Sequence, residues 1–87
     1  MKYTRSRLEA VRRMSALPVD GRLLTLQDLQ GDLGNLSRRQ VEILIETGRL
    51  AAVKDGKRWV TTQAARNDYV RSMIQEDLAA LEDAGEE

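Results

Sequence analysis

Apolar residues recur at helical spacing in four stretches of the chain, and a shorter stretch between the third and fourth is punctuated like a β-hairpin. Leu8, Val11 and Met14 predict a first helix over about residues 7–17, opened by the capping-box spacing of Ser6 and Glu9 and ended by Pro18. Pro18, Val19, Asp20 and Gly21 read as a turn, and residues 22–24 as a short strand. Thr25, with Asp28 at the third helical position, starts a second helix on which Leu26, Leu29 and Leu33 share a face. This helix is expected to stop around residues 33–35, where Gly34 and Asn35 tolerate positive φ, leaving Leu36 to plug the turn.

The stretch SRRQVEILIETGRL carries the clearest signals. Ser37 can accept from a free backbone N–H while Gln40 reaches back to the Ser37 N–H, so a third helix starts at about Arg38. Gly48 supplies the left-handed residue that closes it. At roughly 100° per residue, Val41, Leu44 and Ile45 face the core and Arg39, Glu42, Ile43 and Glu46 face outward. Residues 50–54 and 57–61 then flank Asp55-Gly56, the dipeptide favoured in a two-residue type I′ turn. That register sets Lys54 opposite Lys57 and Ala52 opposite Trp59, with both lysines and Trp59 on one face and Arg58 on the other. Trp59, the largest apolar side chain in a chain without phenylalanine, is expected to pack in the core. From about Thr62 a long last helix carries Val70, Ile74, Leu78 and Leu81 at helical spacing, and its distal, acidic half is expected to project or bind a partner.

Composition narrows the chemistry. The 87 residues make one small domain with a modest core: an N-terminal helical extension over 1–20, a central unit over 23–62 and an acidic C-terminal helix over 63–87. With no cysteine and no histidine, disulfides, thiolate chemistry and the usual zinc sites are excluded, and no cofactor is expected. No nucleophile–base arrangement or phosphate loop points to an enzyme. The start MKYTRSRLEAVRR lacks the apolar run of a signal peptide, so a cytoplasmic protein is expected.

Net charge is zero but unevenly spread. Residues 1–66 hold 13 Lys and Arg against 7 acids, and residues 67–87 hold one Arg against seven acids, a division of +6 and −6. Screening beyond about 10 Å lets a basic body meet phosphates despite the acidic end.

Two short helices joined by a glycine-containing turn, the second opening on exposed arginines and followed by a basic hairpin, form the pattern of a winged helix-turn-helix. The expected fold class is therefore mainly α with a small β-hairpin, plus an N-terminal helix and a long C-terminal helix. Arg38 and Arg39 are placed for guanine edges or phosphates, Gln40 for adenine, and Glu42 for a cytosine amino group. Ile43 is placed to meet a thymine methyl or to pack under the hairpin, while Lys54, Lys57 and Arg58 form a phosphate-binding hairpin. The basic first helix reads as a DNA-contacting arm or as an amphipathic cover for the core.

Leu24-Thr25, Gly34, Leu36-Ser37-Arg38-Arg39, Val41, Leu44-Ile45, Thr47-Gly48-Arg49-Leu50, Ala52-Val53-Lys54 and Lys57-Arg58-Trp59 resemble the MerR-like winged-helix domain of the phage and plasmid excisionase family. The resemblance covers about residues 23–70. Asn35 is an extra residue in the turn, and Gly31 and Asp32 stand where the family has helix formers and an apolar residue. The resemblance implies a non-catalytic recombination directionality factor in a bacterial host. Such a protein binds tandem sites on double-stranded DNA, bends it, and directs a tyrosine or serine integrase toward excision. A transcription regulator of the same fold, and an adaptor that binds protein and not DNA, remain alternatives. The two charge poles further suggest head-to-tail, cooperative self-association on DNA.

Overall fold

Side chains at their first residues set where three of the helices begin. The computed structural model describes residues 5–85. In chain order the elements are α1 (Arg5–Ser15), β1 (Leu24–Thr25), α2 (Leu26–Asp32), α3 (Arg38–Glu46), β2 (Val53–Asp55), β3 (Arg58–Thr61) and α4 (Gln63–Ala84). The Thr25 hydroxyl accepts from the Asp28 N–H while the Asp28 carboxylate accepts from the Thr25 N–H at 2.9 Å. At α3 the Ser37 hydroxyl accepts from the Gln40 N–H at 3.1 Å, and Gln40 Oε1 accepts from the Ser37 N–H at 2.8 Å. Thr62 accepts from the Ala65 N–H at 3.1 Å and opens α4. Each of these contacts satisfies a backbone donor that a helix start otherwise leaves unpaired.

The first helix departs from expectation. Arg5 and Ser6 are already helical, so Ser6 is no cap, and Glu9 lies 3.9 Å from Arg5 one turn back. The helix proper ends at Ser15, where Ala16 and Leu17 donate three residues back to Arg13 and Met14 and tighten its last turn. Residues 1–4 and 86–87, the outer ends of the expected terminal segments, lie outside the described residues.

The molecule is mainly helical with a small three-stranded antiparallel sheet in the order β1-β3-β2. Its first strand is Leu24–Thr25, later than the expected residues 22–24, because Leu24 pairs with Thr61 and Thr25 with Val60. The hairpin turn is also shifted by one residue, and the cross-strand partners by two. Val53 faces Val60, Lys54 faces Trp59 and Asp55 faces Arg58, so Gly56 and Lys57, rather than Asp55 and Gly56, make the turn. A type I′ turn over Asp55-Gly56 demands positive φ of both residues, whereas here Gly56 alone takes it, at φ 66, the sign pattern of a type II′ turn. The left-handed conformation costs a non-glycine residue about 1 kcal/mol, and the shift relieves Asp55 of it. It also brings the Arg58 guanidinium 3.3 Å from Asp55 and stacks Lys54 on Trp59.

Leu24, Leu29, Val41, Ile45, Leu50, Ala52 and Tyr69 form the core, with Leu33, Leu36 and Leu44 packed against it. Leu36 thus fills the turn between α2 and α3, where Gly34 and Asn35 hold φ 95 and 62. Gly31 stays helical within α2, which ends one residue later at Asp32. Helix α1 belongs to the body and is no loose extension. Ala10 is fully buried beside Ala51 and Ala65, with Met14 packed on them. The close approach depends on Gly48, at φ 80, where an added Cβ falls 2.5 Å from the backbone carbonyl of Ser6.

Helix α4 buries Ala65 and Tyr69 near its start, and every residue over 71–85 is exposed. The projection stretches the molecule to 51 × 27 × 26 Å. Among the described residues no helix is long and apolar enough to cross a membrane.

Candidate nucleic-acid interface

The starts of α2 and α3 and the β2–β3 hairpin bound a cleft of about 590 Å³. Two reciprocal contacts set the angle between the helices. Leu36 N–H donates to the Gln30 carbonyl at 3.0 Å, and the Gln30 side-chain amide donates to the Leu36 carbonyl at 3.3 Å. The start of α2 is fixed by Asp28, which accepts from Thr25 and, at 2.9 Å, from Arg22. The Arg22 guanidinium first, and then the Thr25 N–H, hold the Asp28 carboxyl down to about 2 from its ordinary 3.8. Arg22 is raised in turn.

Five of the expected site residues meet at the cleft: the cations Arg38 from α3 and Lys54, Lys57 and Arg58 from the hairpin, and the one carboxylate they face, Glu42. Three of these cations already have neighbours. Arg38 Nε lies 3.4 Å from Glu42, Arg58 lies 3.3 Å from Asp55, and Lys54 Nζ sits 4.5 Å from the centre of the Trp59 ring. Lys57, at the turn, has no ion pair among the described residues, so its charge is the most available. The shifted register therefore moves Lys57 off the strand face predicted for it and onto the tip, while Lys54 and Trp59 share a face as expected.

Arg39, Gln40 and Ile43 lie outside this cleft. Arg39 is 3.5 Å from Glu42 and 3.6 Å from Glu46, forming the outward ridge of α3. Glu42, held by two arginines, is a poor acceptor for a base amino group until they are drawn away. Gln40 is folded back onto the helix start, where its oxygen serves the Ser37 N–H. With Ile43, Leu36, Leu44 and Tyr69 it lines a second concavity of about 280 Å³ on the α4 side of α3. Ile43 is 43% exposed there and does not pack under the hairpin.

Sequence patterns alone missed Arg7 and Gln27. The Arg7 guanidinium lies 4.9 Å from the Trp59 ring centre and donates to the Ala52 carbonyl at 3.4 Å, so α1 braces the hairpin from behind. Gln27 lines the cleft from the first turn of α2. Trp59 packs partly against the core, as expected, but its ring is also gripped by Arg7 and Lys54. Among the described residues no group of three or more Asp or Glu is placed to hold a metal ion. Comparison of the chain with protein-family profiles, with curated proteins and with solved structures finds no match.

Proposed function

We propose that this chain is a non-catalytic, sequence-specific binder of double-stranded DNA, with α2, its turn and α3 acting as a helix-turn-helix and the β2–β3 hairpin as its wing. The observation that carries the reading is the convergence of Arg38, Lys54, Lys57 and Arg58 on one cleft beside the start of α3. Backbone N–H groups at that helix start add to the attraction for phosphate oxygens. Arg39, on the ridge of α3, is the candidate for reading base edges. Within this class we favour the role that the sequence resemblance implies. The protein occupies sites beside an attachment region, bends the DNA and assists an integrase toward excision in the host cytoplasm. A promoter as the natural site makes it a transcription regulator instead.

If four cations engage phosphates, the slope of log affinity against log salt is about −3 to −4, a loss of roughly 60- to 250-fold between 50 and 200 mM salt. A gel-shift titration against pooled fragments of the source genome at those two concentrations tests this. Selection of one fragment, with stepped shifts and an attachment site or integrase gene nearby, supports the excisionase role. A second reading is favoured by the apolar concavity around Ile43 and by the bare distal half of α4, which suit a protein adaptor. No selection at either salt, with only weak, unselective binding at about 50 mM, decides for that reading.

A further inference from the structure

We propose that the distal half of α4 pairs antiparallel with the same segment of a second copy of this chain, through a stripe of Ile74, Leu78 and Leu81. The proposal rests on α4 alone and does not depend on DNA binding. These three side chains are 60%, 52% and 61% exposed. At 100° per residue they fall within about 60° of arc, so they form one continuous apolar seam. Among the described residues no other element covers this seam, since every residue over 71–85 is exposed. Among the described residues its ion pair with the body is the largely exposed one of Glu76 with Arg49, and a helical segment of this length with so little tertiary support is marginal in water. Pairing supplies the missing cover.

The flanking charges choose both the occupant and its direction. Arg71 and Glu82 lie on the same flank of the seam, at about 60° and 80° from Ile74, and Asp77 lies on the other. Neither Arg71 nor Glu82 has an ion pair among the described residues. In an antiparallel pair like flanks meet, so Arg71 of each copy meets Glu82 of the other, twice over, while Leu78 lies near the two-fold axis. The same arrangement sets the acidic distal half of one copy beside the basic body of the other. A parallel pair instead meets Glu82 with Asp77 and aligns the two acidic halves. Asp77 approaches its own mate near the axis of the antiparallel pair and weakens it. The seam is smaller than the roughly 800 Å² per partner of a stable interface, so the pairing belongs to the transient class.

Sedimentation of the full chain from about 10 to 500 µM, spanning the range of transient interfaces, tests the proposal. A monomer–dimer equilibrium with no larger species is expected. Leu78→Glu should abolish the dimer, and Asp77→Asn should tighten it several-fold. Arg71→Glu and Glu82→Arg should each weaken it, and the double variant should restore it, with circular dichroism confirming that each variant is folded. Monomer at every concentration overturns the proposal. So does growth beyond the dimer, which marks head-to-tail assembly, or a dimer indifferent to Leu78→Glu. Failure of the double exchange to restore pairing overturns the antiparallel direction.

Discussion

Under the proposed DNA-binding role, Arg39 and Lys57 carry different kinds of information about a duplex. Arg39 stands on the outward ridge of α3, where only a base edge or a phosphate brought close can draw it from Glu42 and Glu46. Arg39→Ala should therefore flatten preference among sequences, costing about 1–3 kcal/mol at the best site and little elsewhere. Lys57 sits at the hairpin tip without an ion pair among the described residues, so Lys57→Ala should weaken all sequences alike and reduce the salt slope by about one unit. Arg58→Ala should do less, because Asp55 already answers that charge. Anisotropy titrations of specific and random duplexes at several salt concentrations separate the three, and an unchanged slope for Lys57→Ala removes the hairpin from the interface. Trp59 offers an internal reporter. As the only tryptophan, gripped by Lys54 in the cleft, it should change its emission when duplex draws that ammonium away. Gln40 illustrates what residue types leave undecided, since capping and adenine recognition ask for the same amide oxygen and the folded chain gives it to Ser37.

At the scale of elements, the starts of α2 and α3 were legible because their signals are local. Ser37 with Gln40 and Thr25 with Asp28 each cap the helix expected of them, and α4 opens where expected, with Thr62 as its cap, whereas Ser6 and Glu9 have the same spacing and lie inside α1. Asp28 makes its cap pH-dependent. Its carboxyl is held to about 2 against 3.8 when free, so the contribution is fully present above about 4 and is lost as pH falls through about 2. Thermal unfolding followed between pH 5 and 2 should show a steeper loss of stability in the parent chain than in Asp28→Asn, which lacks that titration. Parallel curves would remove Asp28 from the acid response. The hairpin register was less legible because Asp55-Gly56 and Gly56-Lys57 both make acceptable turns. The pairing of Lys54 with Trp59 and of Asp55 with Arg58, set only in the folded sheet, separates them. The docking of α1 was legible only as one of two readings, an amphipathic cover for the core, which Ala10 and Met14 provide, but its partners on the hairpin were not. Arg7 meets a ring and a carbonyl distant in sequence, and no spacing rule reaches that far. Gly48 reads as a helix stop, yet it also admits α1. Gly48→Ala should therefore cost about 2 kcal/mol or more, combining left-handed strain with the clash at Ser6. Thermal denaturation checks the size, and a loss below about 1 kcal/mol would mean that α1 moves aside at little cost.

For the whole molecule, the two charge poles do not lie simply at opposite ends. Arg49 reaches Glu76 at 2.9 Å, Arg66 reaches Asp32 at 2.8 Å and Arg13 lies 3.9 Å from Asp68, so α4 is tied down by charges from the body through its first half and as far as Glu76. These pairs are partly or largely exposed and individually worth little, about 0–1 kcal/mol. The apolar anchors Ala65 and Tyr69 hold that half more firmly. Past Glu76 neither kind of contact continues among the described residues, and stability must fall along a single unbroken helix. Hydrogen exchange should record the change. In dilute solution, at about 5 µM where a transient pair is dissociated, amides of residues 77–84 should exchange at least tenfold faster than that of Tyr69. At about 500 µM the distal amides should slow, because a second copy then covers Ile74, Leu78 and Leu81. Distal amides as slow as that of Tyr69 in dilute solution would show that the projecting segment holds its helix unaided, and the need for a second copy to cover it would disappear.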